Sequence, residues 1–343
     1  MKEIYTSDLQ PNQLIVSEFL VLAKDLRHKK TGEGYLSLTL GDRTGEIEAK
    51  MWDNVDQVES SFERDHFVKV KGAVQLYQNR MQITIHKLKR MEDSEVDLRD
   101  FLPRSARDPE EMWQELEAVV AGIGNTQLRE LLQTILAMPE ISEKMKLAPA
   151  AKTLHHAFLG GLLEHVCSLC RLTKLVAQNY PEIDQDLVLA GVVLHDMGKI
   201  KELSYTRSFQ YTTEGQLLGH LILELEVLHK ALAGVPDFPR PLQMLLEHLI
   251  ISHHGQYEFG SPKLPMFPEA MLLHYLDDLD SKLQNMRTAL ERIPSEKQEW
   301  TGYIQSLSRP LLDVRKFLAN ASHGAEEPAT EPATPSAEDN LEN

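Results

Sequence analysis

Ten of the chain's fourteen histidines fall between His155 and His274, and the stretch around them is apolar and studded with Asp. Neutral imidazole and carboxylate are ligands of divalent cations, so this clustering predicts a metal site built from helices. Its sharpest part is Val192-Val-Leu-His195-Asp196-Met-Gly198-Lys199. Adjacent side chains on a helix point about 100° apart, so His195 and Asp196 converge only where a last turn opens. Lys199, four residues beyond His195, is expected to act as an electrostatic catalyst. His155 and His156 precede His165 by about two to three helical turns and are candidates for lining the pocket. His229, His248 and His274 read as structural, and Cys167 and Cys170 as small packing residues. No P-loop, no Gly-x-Gly-x-x-Gly and no Gly-x-Ser-x-Gly is present, which removes support for kinase, dehydrogenase and serine-hydrolase chemistry.

The elements that must position these residues follow from hydrophobic period. Segments 157–178, 187–195, 242–253 and 269–290 read as helices of an all-α domain over 148–320. Before it, Asp108-Pro109-Glu110-Glu111 is a strong helix start, and Gly122-Ile-Gly124-Asn125 separates that helix from a second at 126–138. A third helix, to about residue 146, completes a connector over 93–147 that is expected to lie on the all-α domain.

Residues 1–92 read differently. Runs at 14–26, 35–40, 46–52, 66–75 and 81–88 alternate with period two. In Tyr35-Leu-Ser-Leu-Thr-Leu40 the leucines share one face; Ile47, Ala49 and Met51 do the same, as do Val68 and Val70. Gly41-Asp-Arg-Thr-Gly45 and Gln78-Asn79-Arg80 supply turns. Five short strands in this length suit an OB-fold barrel. On the outward positions lie Tyr35, Trp52 and Phe67, interleaved with Lys50, Lys69 and Lys71. Aromatic rings stack on bases and lysines meet phosphates, so this face suits single-stranded nucleic acid. The competing reading is that the aromatics lie against a neighbouring domain.

Net charge is −16, which taken whole argues against a nucleic-acid partner. The charge is unevenly placed. Residues 1–90 hold 14 basic and 13 acidic side chains, whereas the other 253 hold 22 and 39. Six acids lie in 321–343, a Pro-, Ala- and Glu-rich segment read as a disordered tail. No apolar run approaches a membrane span, the first residues lack a secretory h-region, and two cysteines fit a reducing cytoplasm. The fold class expected is therefore multi-domain α and β: a five-stranded OB-fold barrel, then an all-α helical bundle.

The second half resembles the HD phosphohydrolase superfamily, whose motif runs His…His-Asp…Asp. His165 in Gly161-Leu-Leu-Glu-His165 matches the first position, His195 and Asp196 the doublet, and Asp277 in Leu276-Asp-Asp-Leu-Asp280 the last, with Asp278 and Asp280 as nearby alternatives. Two-metal members add three histidines, for which His220, His253 and His254 stand in order. The resemblance implies that Asp196 bridges two divalent ions and is catalytic, that His195 is a further ligand, and that His165 and Asp277 help complete one site while His220, His253 and His254 supply the other. Over about 1–315 the domain order and the stretches Leu154-His-His-Ala-Phe-Leu-Gly-Gly-Leu-Leu-Glu-His165, Leu194-His-Asp-Met-Gly-Lys199 and Ser252-His-His-Gly255 resemble the bacterial YhaM-type 3′-to-5′ exoribonuclease family. That resemblance implies shortening of single-stranded RNA, and single-stranded DNA as a second substrate, by a metal-activated water. Mn²⁺ or Co²⁺ is implied, with Fe²⁺, Ni²⁺ and Zn²⁺ as further candidates, and the family pattern includes homo-oligomers. The alternatives are an HD phosphohydrolase of free nucleotides or cyclic dinucleotides and a non-catalytic RNA-binding protein. Gly255-Gln-Tyr-Glu-Phe-Gly260 in place of a Gly-Tyr-Pro counts against cyclic dinucleotides.

Overall fold

A computed structural model describes residues 2–29, 31–78, 80–153, 155–293, 295 and 298–324. The chain forms two compact units, 1–281 and 282–343. The first begins with five strands: β1 (Leu14–His28), β2 (Gly34–Asp42), β3 (Gly45–Met51), β4 (Phe67–Tyr77) and β5 (Arg80–Arg90), with a one-turn helix α1 (Val55–Val58) between β3 and β4. They close into a barrel in the order β1-β2-β3-β5-β4, with β3 and β5 parallel and the other neighbours antiparallel. Closure depends on the length of β1. Its first half pairs with β4 and its second with β2, across a register shift at Val21–Ala23. Leu36, Leu38, Leu40, Ile47, Ala49, Met51, Val68 and Val70 all point into the barrel core, as their alternation requires. Of the turn expected before β5, Asn79 lies outside the described residues.

The helical part follows: α2 (Pro109–Ala121), α3 (Thr126–Leu136), α4 (Pro139–Met145), α5 (Gly161–Ala177), α6 (Gln185–Leu194), the one-turn α7 (Lys199–Glu202), a two-stranded hairpin β6 (Leu203–Ser204) and β7 (Gln210–Tyr211), then α8 (Thr213–Leu232), α9 (Arg240–Ser252) and α10 (Pro268–Glu291). The Asp108 carboxylate accepts from the Glu110 and Glu111 amides, and Pro109 fills the first helical position. Met112, Leu116, Leu131 and Ile135 of the connector join one continuous core with Leu162, Val188, Leu228, Leu249 and Leu273. No described helix is long and apolar enough to cross a membrane.

Two differences from the expected helices matter. The helix read from 157 starts only at Gly161, because Gly160 adopts φ +75 just before it. Residues 155–160 are therefore a loop, and His156 takes the left-handed conformation, φ +47. In the second unit, α11 (Val314–Gly324) extends into the segment read as tail, with Asp313 accepting from the Arg315 and Lys316 amides. The remainder of that tail, 325–343, lies outside the described residues.

A third cluster joins barrel to helices. Leu20 and Phe67 of the barrel are buried with Met91, Phe101, Leu102 and Leu159, and Tyr205 and Phe209 lie against them. Arg207 reaches back to Asp93, 2.6 Å away.

Candidate functional site

The helix ends decide the histidine tautomers. His195 is the residue that ends α6 and His253 the residue that ends α9. Last-turn carbonyls lack helical partners. Each imidazole uses one: His195 Nδ1 donates to the Val192 carbonyl, 2.9 Å, and His253 Nδ1 to the Ile250 carbonyl, 2.7 Å. A carbonyl can only accept, so each neutral ring keeps Nε2 bare. Both Nε2 atoms, and that of His165, are buried without a hydrogen-bond partner among the described residues.

They converge on Asp196, which is 2% exposed. Its Oδ2 lies 3.4 Å from His195 Nε2 and 3.9 Å from His165 Nε2. Its Oδ1 lies 3.6 Å from His220 Nε2 and 3.8 Å from His253 Nε2. The two oxygens thus face two groups of donors. Asp277 Oδ1 joins the first, 3.2 Å from His165 Nε2 and 4.0 Å from His195 Nε2. His254 joins the second, its Nε2 3.2 Å from that of His220. His165–His195–Asp277 and His220–His253–His254 each bring their ligand atoms within 4.8 Å of one another, close enough to hold an ion.

The donors are held from behind. Asp280 Oδ2 accepts from His165 Nδ1 at 2.8 Å and from His156 Nε2 at 3.0 Å, and its Oδ1 accepts from Ser168. Glu202 holds both the ring and the amide of His220. Carboxylates behind ligating imidazoles fix ring orientation and raise basicity. Gly198 explains the close crossing: a Cβ there would meet the His220 carbonyl oxygen at 2.1 Å. Gly219, at φ +72, breaks α8 just before His220 and turns that ring inward.

The electrostatics suit a cation. Burial opposes charge on His165, but Asp277 and Asp280 outweigh it and raise its pKa to about 9. Burial, then neighbouring His195 and His254, holds His253 neutral. Burial also opposes charge on Lys199, yet Asp196, 2.7 Å from its ammonium, keeps it protonated. The unpartnered Nε2 atoms and the anionic Asp196 and Asp277 together suit divalent cations with nitrogen and oxygen preference.

Each expected residue can now be placed. His165, His195, Asp196, His220, His253, His254 and Asp277 come together, and Lys199 sits on Asp196. His155 lies beside the cluster, its ring centroid 6.1 Å from that of His165, and burial followed by Lys199 lowers its pKa to about 3. His156 is turned to Asp280 and backs the site rather than lining it. Asp280 and Glu202 were not foreseen as supports. An i,i+3 spacing puts Asp280 on the face of Asp277, so that signal was present; nothing local marks Glu202. Burial pushes the Cys167 thiol up to about 12, in keeping with a packing role.

The barrel face is divided. Tyr35 and Trp52 stack at 4.5 Å, with the ammonium groups of Lys29 and Lys50 5.8 and 5.9 Å from the Trp52 ring. Lys50 also lies 5.6 Å from the ring of Tyr77, which is 57% exposed. Phe67 is not on this face. Its position is outward from the barrel, as alternation says, but Phe101 covers it at 4.9 Å and its exposure is 0%. Lys69 and Lys71 form a separate patch, directly opposite Lys89 and Lys87 across β4 and β5. Lys69 is paired with Glu18 at 3.1 Å.

The family models agree with this division. The OB-fold nucleic acid binding domain matches residues 21–90 and the HD domain matches 162–282. The 3′-5′ exoribonuclease YhaM of Bacillus subtilis (strain 168) is 38% identical over 287 residues, covering 83% of this chain and 90% of that protein. The protein of the same name from Geobacillus sp. (strain WCH70) is 37% identical over 270 residues, covering 78% of this chain and 82% of its own. Among solved structures, the second OB-fold domain of replication protein A from Methanococcus maripaludis is 24% identical over 26% of this chain and 94% of its own, with a TM-score of 0.22.

Proposed function

The chain belongs to the YhaM family of 3′-5′ exoribonucleases, and on that premise we propose how its residues divide the removal of nucleotides from the 3′ end of single-stranded RNA. The observation that carries the proposal is the convergence of three buried Nε2 atoms, each without a hydrogen-bond partner among the described residues, on one carboxylate whose two oxygens face different donor groups.

In this reading His165, His195, Asp196, Asp277, His220, His253 and His254 are the residues that would hold divalent cations. When bound, the ions would supply Lewis acidity to an attacking water and to the phosphodiester oxygens. The protein's own residues do the rest. Asp280 and Glu202 fix the rings of His165 and His220. Lys199, protonated and held by Asp196, offers a positive charge to a phosphoryl oxygen as its own charge is shared away from the carboxylate. His155, neutral and beside the donors, lines the pocket where the terminal phosphate arrives.

The stacked Tyr35 and Trp52, with Lys50, are assigned to the bases and backbone of the incoming strand. Lys69 and Lys71, with Lys87 and Lys89, are assigned to phosphates. Directly opposed lysines repel, and a polyanion relieves that repulsion.

The test is digestion of 5′-end-labelled single-stranded RNA by the metal-stripped protein, with Mn²⁺, Co²⁺, Fe²⁺, Ni²⁺ or Zn²⁺ added back singly. A descending ladder that requires metal is expected, and single-stranded DNA in the same assay measures the sugar preference. Equal activity after chelation, or cleavage of free nucleotides without any ladder, would sink the proposal.

A further inference from the structure

We propose that a cleft between barrel and helices, separate from the histidine centre and from the lysine patch of β4 and β5, is a further phosphate site that grips the RNA backbone upstream of the 3′-terminal nucleotide. The proposal rests on the exoribonuclease reading. The cleft has a volume of about 570 Å³ and is lined by Arg43, Arg99, Arg104, Arg107 and Lys146, against which Asp108 is the one carboxylate. In a chain of net charge −16, five cations around one concavity is a local arrangement that bulk composition does not produce.

The cations come from both sides of the junction. Arg43 lies in the turn after β2, Arg99 and Arg104 flank the segment that covers Phe67, Arg107 precedes α2, and Lys146 follows α4. Three are already engaged: Arg99 with Asp97, Arg107 with Glu115 and Lys146 with Glu110. Those pairs are partly or well exposed, and exposed pairs are worth little, so they can re-pair with a phosphate. The other two have no carboxylate within ion-pair distance among the described residues. Arg43 lies over the Tyr5 ring at 4.4 Å, and Arg104 is exposed. A guanidinium fork matches the two oxygens of a phosphodiester.

Position favours a strand on its way to the metal centre. Arg104 bridges to Leu159, and Ser105 donates its amide to the Leu159 carbonyl and its hydroxyl to Glu164, the neighbour of His165. The cleft floor is thereby tied to the start of α5. His165 lies four residues beyond Gly161, about 6 Å of helix. At the other end, Arg43 is eight residues of strand from Tyr35, about 26 Å. RNA stacked on the aromatic pair therefore needs support between that pair and the centre. The lining contains no aromatic ring, so the cleft reads phosphate and not base. That fits the backbone of a strand of any sequence better than a free nucleotide.

The experiment uses the full chain with Arg43→Ala and Arg104→Ala combined, compared with wild type on a long single-stranded oligoribonucleotide and on a dinucleotide. The expected result is a rise of about tenfold in KM for the long RNA, and a fall of about 1.4 in the slope of log Kd against log salt, at roughly 0.7 per single-strand phosphate. The dinucleotide, too short to reach the cleft, should be affected far less, and Arg104→Lys should restore part of the salt slope. An unchanged salt slope, or an equal loss on both substrates, overturns the proposal. So does a variant that loses binding of inorganic pyrophosphate while keeping wild-type RNA affinity, because the cleft then serves a free anion. Failure of the wild type to shorten RNA with any metal would instead defeat the exoribonuclease reading, and RNA binding by the variant would still judge the cleft.

Discussion

His253 is 1% exposed and Trp52 is 36% exposed. The first has its Nδ1 committed to a carbonyl and its Nε2 aimed at Asp196; the second leans on Tyr35 with its outer face in water. The contrast runs through both regions. In the helical centre, the rings of His165, His195, His220 and His253 each have a partner that fixes them from behind. On the barrel and at its junction with the helices, three features stand open to solvent: an aromatic pair, opposed lysines and a cleft lined by cations. A reaction that must place one phosphate within a fraction of an ångström needs the first design. Holding a strand of any sequence, which must also slide, needs the second.

The contrast breaks most sharply at its centre. His195→Ala with Asp196→Ala should lower metal-dependent RNA shortening by about 10³-fold or more, since several kcal/mol of charge stabilisation are removed. Circular dichroism should show the helices intact and fluorescence anisotropy should show RNA still bound. Phe67→Ala tests the border between the regions. As a fully buried aromatic it should cost about 3–5 kcal/mol of stability in denaturant unfolding; weaker RNA binding with unchanged stability would return Phe67 to the binding face. Asp280→Asn removes a support and no proposed ligand. Metal affinity should fall by about 10–100-fold, measured by titration, while RNA affinity stays level. The barrel is tested separately: Tyr35→Ala with Trp52→Ala should weaken RNA binding by about 1–3 kcal/mol, with hydrolysis of a small phosphodiester retained. Equal loss of both activities would mean that the two regions are not separable.

Legibility followed the same divide. The ordered set from His165 to Asp277 was legible as a match to the pattern of the HD superfamily, because a motif spread over a hundred residues is hard to produce by chance. The carboxylate of Asp277 faces His165 and His195. Asp280 is not idle, and its place behind His165 became visible only when α5 and α10 were brought together. An apolar stripe runs into the loop before α5, and only the conformation of Gly160 marks where the helix starts.

The barrel's core was fixed by alternation alone, since period two puts Leu36, Leu38 and Leu40 on one face whatever surrounds the strand. What alternation cannot say is whether an outward face meets water. Phe67 points out of the barrel and is buried all the same, because Phe101, Leu102 and Leu159 close over it from distant parts of the chain. The same juxtaposition gathers five cations that are scattered over a hundred residues of an acidic sequence. Residue type and period, which are local, determined the elements and the inward faces. Exposure, tautomer and the grouping of charges depend on what arrives from elsewhere, and the tertiary structure alone decided them.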